Sequence, residues 1–146
     1  MNAAMTDKIL GEPAQPYREG GYALRVVRTT GRRSRQRRST PLGVVQVDGA
    51  LYLVSPARHR DWVRNLESDP HLVLDPGGDP RTAVAAEPAQ AALAVSAYLR
   101  SMRTPWALRA FPIGPDAELA EIIDHLDTIA VYRLDADHAR HDGFAQ

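Results

Sequence analysis

The sequence predicts a mainly β domain with flanking helices, built as an antiparallel barrel of about six short strands. Three observations carry this prediction. Apolar and polar residues alternate in several short runs, an Asp-Gly pair joins two of these runs, and two helical patterns precede the last strand. Because short strands must hide their edges, we expect the sheet to close on itself, with the helices packed outside.

The first half of the chain contains three predicted strands. Alternation from Tyr22 to Thr30 indicates a half-buried strand, which Gly31 ends. The run 39 to 47 and the run 51 to 54 flank Asp48 and Gly49, the pair favoured in two-residue hairpin turns. These features predict a β-hairpin directly after the first strand.

Helices and strands are both predicted in the remainder. A short helix over 59 to 67 places Trp62 and Leu66 on one face, and Pro70 follows it. Runs at 71 to 74 and 81 to 86 form a hairpin around the breaker DPGGDP. Two amphipathic helices and a last strand, 129 to 134, complete the pattern; the helices are marked by Ala92, Val95, Leu99 and Met102 after Pro88, and by Leu119, Ile122, Ile123 and Leu126.

A chain of 146 residues suits one domain, which we place at 21 to 136. Residues 1 to 20 are expected to be a flexible lead-in, and 137 to 146 a polar tail. The lack of cysteine excludes disulfides and thiolate chemistry and fits a cytoplasmic protein. No signal peptide and no apolar run of about 18 residues is present, so we expect no stable membrane insertion.

Charge is distributed unevenly along the chain. Six arginines fall between Arg28 and Arg38, a segment that we call the basic arm, although the formal net charge is zero. Neutral total charge and only nine aromatic residues disfavour a nucleic-acid binder. Guanidinium groups suit bidentate contacts to phosphate or carboxylate, so a small anionic ligand is the expected partner of the arm.

The basic arm begins with a turn after Thr29, Thr30 and Gly31. Its backbone amides, the Ser34 hydroxyl and nearby arginines can converge on one phosphate. Alternation along the following strand places Arg38 and Thr40 on one face, and Arg37 and Ser39 on the other. The alternative is an exposed basic loop that keeps the domain soluble. Neither a Walker pattern nor G-x-G-x-x-G is present.

Two sequence blocks carry a family resemblance. The first consists of Gly31, Arg32, Arg33, Ser34, Arg38, Pro41 and Leu42; the second consists of Trp62, Asn65, Leu66 and Pro70. In this order, with Ser55 at a strand end between them, they resemble the deazaflavin-dependent nitroreductase family. The likeness covers roughly residues 22 to 134. It implies a split β-barrel of the FMN-binding type that binds the deazaflavin coenzyme F-420.

The resemblance also implies an activity and a set of contacts. The coenzyme would pass its hydride to an electrophilic small molecule such as a quinone, a nitro compound or an activated C=C bond. Its phosphate and acidic glutamyl tail would lie against the arm, and its ring along the next strand. The matching residues are Gly31, Arg32, Arg33, Ser34, Arg38, Ser39, Thr40, Pro41, Leu42, Ser55, Trp62 and Asn65. Trp62 is equally interpretable as core, and Asn65 as a helix-ending cap.

The chain departs from the family pattern at three places. Arg35 and Arg37 replace the usual glycine and proline of the turn, and Gly43 stands where members often present an aromatic side chain to the substrate. The stretch from Ser55 to Trp62 is shorter. The substrate is therefore not transferred from the family.

Proton donors and metal ligands are weakly indicated. Tyr98, Tyr52 and His59 are candidate donors, each equally a structural residue. The five histidines lack metal spacing, and His138 and His141 fall in the polar tail, so no metal is expected. Two other functions stay open, an FMN-binding oxidoreductase and a non-catalytic binding protein of the same fold. The protein is expected to be either a monomer or a homodimer.

Overall fold

The computed structural model describes residues 2–137 as six strands and five helices. In chain order the elements are α1 (Asn2–Leu10), β1 (Tyr22–Thr30), β2 (Arg37–Val47), β3 (Ala50–Ser55), α2 (Asp61–Ser68), β4 (His71–Asp75), β5 (Asp79–Ala85), α3 (Pro88–Ser101), α4 (Pro105–Leu108), α5 (Leu119–Asp124) and β6 (Ala130–Ala136).

The six strands form a closed antiparallel barrel in the order β1-β2-β3-β6-β5-β4. Both predicted hairpins are present, β2 with β3 and β4 with β5, and β1 pairs with β2 as well. Asp48 and Gly49 both have positive φ, 52° and 78°, as the predicted hairpin turn requires. Closure comes from β4 against β1 and from β6 between β3 and β5. The predicted barrel is confirmed.

Two hydrophobic clusters lie on opposite faces of the barrel wall. One is the barrel interior, to which all six strands contribute and into which α2 packs Trp62, Val63 and Leu66. The other lies outside, where α3 covers residues of β2, β3 and β6. Neighbours such as Val44 and Val45 are therefore both fully buried, one in each cluster. Packing α2 against the interior places it beside the end of β1.

The structure corrects two expectations about helices. The sequence analysis predicted no element before Tyr22, yet α1 forms and packs against β1 and β2 with Ile9 buried. Ile9 is the only buried residue of α1 from Ala3 onward, so the sequence showed no helical apolar stripe. The proline-rich stretch after α3 also contains the short helix α4, begun by Pro105 at a first-turn position.

The segment before β1 is fastened by a carboxylate. Glu19 accepts hydrogen bonds from the backbone amides of Asp48 and Gly49 and from the Gln46 side chain. The Gly20 amide also donates to the Gln46 carbonyl at 2.8 Å. The hydrogen bond from the Asp48 amide, and after it the one from the Gly49 amide, hold the pKa of Glu19 below its ordinary value.

We expect Glu19→Gln to lower the melting temperature at neutral pH, with the deficit shrinking on acidification. A carboxyl whose pKa is depressed by folding stabilises the protein above its unfolded pKa, and that contribution is lost as pH falls through the folded value. Thermal unfolding between neutral and strongly acidic pH measures this. Glu67→Gln, which removes the charge of an exposed glutamate on α2, is the matched control. A loss of melting temperature in Glu19→Gln that does not change with pH would contradict the prediction.

Candidate functional site

A polar cleft of about 590 Å³ lies between the basic arm, the start of β2 and the first turn of α2. We call it the arginine cleft. It is lined by Gly31, Arg32, Arg33, Ser34, Arg37, Arg38, Ser39, Thr40, Asp61, Trp62 and Asn65. Nine of the twelve residues predicted to hold a coenzyme therefore lie together, although the two sequence blocks are separated by two strands.

The turn of the basic arm between β1 and β2 depends on Gly31. The Gly31 amide donates to the Gln36 carbonyl at 2.7 Å, and the Arg35 amide donates to the Gly31 carbonyl at 2.9 Å. A Cβ at position 31 would lie 2.7 Å from Ser34 Oγ and 3.2 Å from the Gln36 carbonyl oxygen. Ser34 Oγ also accepts from the Gln36 amide. The turn is therefore closed by its own backbone and holds Ser34 beside Arg38.

Arg32 is held by α2 rather than left free. Its side chain donates to Asn65 Oδ1 at 2.9 Å and pairs with Asp61 at 3.2 Å. Asn65 Oδ1 also accepts from the Arg32 backbone amide at 3.2 Å, and Asn65 Nδ2 donates to Thr29 Oγ1 at 3.4 Å. Asn65 is 4% exposed, so it joins the turn to the helix inside the protein. Its side chain is not the helix-ending cap of the alternative interpretation.

The other arginines of the arm present unpaired charge. Arg33, Arg35, Arg37 and Arg38 are exposed. Within residues 2–137 the four ion pairs use other arginines of the chain, those at 28, 32, 81 and 133. Because Arg33, Arg37 and Arg38 line the arginine cleft, their fields add there and favour an anion.

Three predicted contact residues lie away from the arginine cleft lining. Pro41 and Leu42 continue β2 beyond Thr40, and both are half-buried. Ser55 is fully buried, and its hydroxyl donates to the Ala57 carbonyl at 2.7 Å. That hydrogen bond closes a local turn at the end of β3. Trp62 lines the cleft and also packs in the barrel interior, so it is a core residue, and its contact with a coenzyme stays a prediction.

The three candidate proton donors do not line the arginine cleft. Tyr52 is buried in the outer cluster, and His59 is exposed ahead of α2. Tyr98 packs edge-on against Tyr22 and Phe111, and burial raises its pKa to about 12. None of the three therefore shares the arginine cleft with the residues of the basic arm.

Two lining residues were absent from the predicted set. Asp61 enters through its pair with Arg32, and Arg37 lines the cleft although alternation places it opposite Arg38. The strand begins at Arg37, so both of its faces border the cleft there. The sequence hinted at this contact only by placing an acidic residue, Asp61, next to Trp62.

Arg35 occupies a backbone position suited to glycine, with φ of 62°. A left-handed conformation costs an L-residue roughly 1 kcal/mol, which glycine avoids. We therefore expect the free energy of unfolding of Arg35→Gly to exceed that of Arg35→Ala. The difference should be about 0.5 kcal/mol, because the greater entropy of glycine in the unfolded state offsets part of the gain. Both variants lose the same charge, so denaturant titration isolates the backbone effect. Equal stabilities would contradict it.

Metal and membrane features were sought within residues 2–137. That part of the chain contains no group of three or more His, Asp or Glu side chains able to hold a metal ion. His138 and His141 lie outside the described residues. No helix in the described part is both long and apolar enough to cross a membrane.

The chain matches the model of a known protein family. A family model described as F420H(2)-dependent quinone reductase matches residues 4–110, which include the basic arm and α2. A comparison with curated proteins finds no match.

Several solved structures resemble this chain at low identity. A heme binding protein from Mycobacterium smegmatis has a TM-score of 0.53 at 16% identity, covering 77% of this chain and 46% of that chain. The chain thus spans about half the length of that protein. A structure described as F420-H2 Dependent Reductase (FDR-A) has a TM-score of 0.47 at 22% identity, covering 81% and 98%. General Stress Protein 26 from Bacillus anthracis str. Sterne has 0.48 at 14%, covering 92% and 88%.

Proposed function

Because the chain belongs to the F420H(2)-dependent quinone reductase family, we propose that its arginine cleft binds the phosphate of the deazaflavin coenzyme F-420. The protein is a deazaflavin-dependent reductase. We propose further that its substrate is a quinone or another electrophilic small molecule, such as a nitro compound or an activated alkene. The absence of cysteine favours action in the cytoplasm.

The observation that carries this proposal is the concentration of unpaired cations at a preformed turn. Arg33, Arg37 and Arg38 are exposed, have no ion pair among the described residues, and line one cleft. Their guanidinium groups suit a phosphate, and the Ser34 hydroxyl beside Arg38 adds another hydrogen-bonding group. The residues present therefore fit the phosphate of the coenzyme.

The rest of the coenzyme site follows from the direction of β2. That strand leads away from the arm through Ser39, Thr40, Pro41 and Leu42, so a planar ring attached to the bound phosphate can lie along it. Trp62 supplies an apolar edge to the same cleft. Asn65 and Asp61 are positioning residues, since they hold Arg32 and the turn rather than a ligand.

The coenzyme, when bound, supplies the hydride, so the protein needs little covalent chemistry of its own. Its residues bind the phosphate, fix the ring relative to the acceptor and limit access of water. An acceptor that gains a hydride also needs a proton, from solvent or from an acid. Tyr98 stays a proposed donor because its ring lies against Gly43 of β2, although burial raises its pKa to about 12 and so makes the phenol a weaker acid.

Titration of the protein with oxidised coenzyme, followed by fluorescence quenching, tests the proposal. We expect saturable binding at micromolar concentration, and oxidation of the reduced coenzyme when a quinone is added. FMN in a parallel titration tests the alternative cofactor. Absence of coenzyme binding would refute the proposed function, and binding without hydride transfer to any acceptor class would favour a non-catalytic binding protein.

A further inference from the structure

The arginine cleft contains a carboxylate as well as cations. Among the described residues that line it, four are arginines and one is acidic; these are Arg32, Arg33, Arg37, Arg38 and Asp61. A negative charge in the wall of an anion site repels the ligand. Asp61 therefore opposes the binding of phosphate that the arginines favour.

The charge of Asp61 is not needed to hold Arg32. Asn65 Oδ1 accepts from the Arg32 side chain at 2.9 Å and from the Arg32 backbone amide at 3.2 Å. Arg32 Nη1 also donates to the Asp61 backbone carbonyl at 3.5 Å. These acceptors are neutral, and an ion pair as exposed as the one to the Asp61 carboxylate contributes little to stability. The turn of the basic arm is therefore held largely without that charge.

The Asp61 carboxylate is open to a ligand in the cleft. The Asp61 side chain is 88% exposed, although one oxygen lies 3.2 Å from Arg32 Nη2. Asp61 is the first residue of α2, where a carboxylate interacts favourably with the helix dipole. Its negative charge is therefore kept at the wall of the cleft and acts on any anion that the arginines bind.

Phosphate groups differ in the charge that they bring to such a site. A phosphodiester carries one negative charge, whereas a phosphomonoester carries nearly two at neutral pH, because its second proton is lost at about pH 6. The phosphate of the deazaflavin coenzyme is a diester, since it joins the ring portion to the glutamyl tail, and FMN ends in a monoester. Coulomb energy is proportional to the ligand's charge, so Asp61 repels a monoester about twice as strongly.

We propose that Asp61 is a specificity-determining residue, whose charge favours a phosphodiester coenzyme over a phosphomonoester such as FMN. This inference rests on the proposed function, because it concerns the phosphate bound in the arginine cleft. The exposed arginines of the cleft, Arg33, Arg37 and Arg38, attract either phosphate. Asp61 subtracts more of that attraction from the ligand with the greater charge.

The test measures how tightly wild-type protein and Asp61→Asn bind the coenzyme and FMN, by fluorescence titration at about pH 8 and about pH 5. Loss of one exposed charge tightens coenzyme binding about twofold at both pH values, since its phosphate carries one charge throughout. Doubling the ligand's charge squares this factor. FMN therefore binds the variant about fourfold more tightly at about pH 8, but only about twofold more tightly at about pH 5, where its phosphate is protonated.

A second variant controls for the general field of the protein. Glu67→Gln removes the same charge from α2 outside the cleft lining, and it changes the FMN affinity less than about 1.5-fold at about 0.1 M salt. His59, exposed ahead of α2, and the arginines of the cleft are common to wild type and Asp61→Asn. Their charges therefore cancel when the affinities of the two proteins are compared at one pH.

The outcomes separate the two proposals. Equal tightening of FMN and coenzyme binding by Asp61→Asn at about pH 8 overturns the role of Asp61, and so does an FMN response that does not change with pH. Failure of FMN to bind Asp61→Asn at millimolar concentration overturns it too, because shape rather than charge then excludes FMN. Each of these results leaves the phosphate site intact. Failure of the coenzyme to bind wild-type protein at micromolar concentration overturns both proposals.

Discussion

Replacing Arg33 and Arg38 together with alanine is expected to weaken coenzyme binding on the order of 100-fold, since each charge-assisted hydrogen bond to phosphate contributes about 1.5 kcal/mol in a partly exposed site. Both side chains line the arginine cleft, and both are exposed without an ion pair in the described part of the chain. The remaining affinity should also depend less on salt, because fewer screened charge contacts are left. Fluorescence titration at two ionic strengths measures both effects.

The matched control removes two arginines elsewhere. Arg100 and Arg103 are exposed near the end of α3 and do not line the arginine cleft. Their double alanine variant has the same net charge as the test variant, and we expect its affinity to stay within about twofold of wild type, as general electrostatics at a distance are screened. Equal losses in the two double variants would place the phosphate elsewhere.

Asn65→Leu is expected to lower the free energy of unfolding by about 2 kcal/mol, because it leaves buried hydrogen-bonding groups without a partner. The lost acceptor serves both the backbone amide and the side chain of Arg32, and Asn65 itself is buried. Release of the turn should also weaken coenzyme binding, although Asn65 is assigned no contact to the phosphate. Urea unfolding gives the first effect and coenzyme titration the second.

Asn65→Asp distinguishes this network from simple packing. Aspartate keeps an acceptor for Arg32 and loses only the amide that faces Thr29 at 3.4 Å, so we expect it to restore most of the stability lost in Asn65→Leu. Asp61→Asn, on the exposed side of the same arginine, should cost less than about 1 kcal/mol. Stability of Asn65→Leu close to wild type would contradict the proposed positioning role.

Much of the fold was predictable from local patterns. Alternation specified the strands, and Asp48 and Gly49 specified a hairpin turn whose positive φ angles the structure confirms. Two helices were missed for physical reasons: from Ala3 onward α1 buries only Ile9, and α4 is a four-residue helix among prolines. Neither leaves an amphipathic stripe long enough to read in a sequence.

The candidate site was predictable as a set of residues rather than as a geometry. Two blocks placed Gly31, Arg33, Ser34 and Arg38 with Trp62, and the structure brings these residues to one cleft. Which arginines of the set are held by other residues and which stay exposed was not predictable. Arg32 looked equivalent to Arg33 in the sequence, but α2 holds one and leaves the other exposed.

The sequence by itself determined the strands, the hairpin turns and the position of the basic arm, because each depends on neighbours within a few residues. Only the tertiary structure decided which arginines remain free, because Asn65 reaches Arg32 across 33 positions of chain. It alone also decided where the ladder between β1 and β4 stops, at Arg28 and Val73, because strand register between distant segments is set by barrel closure rather than by local pattern.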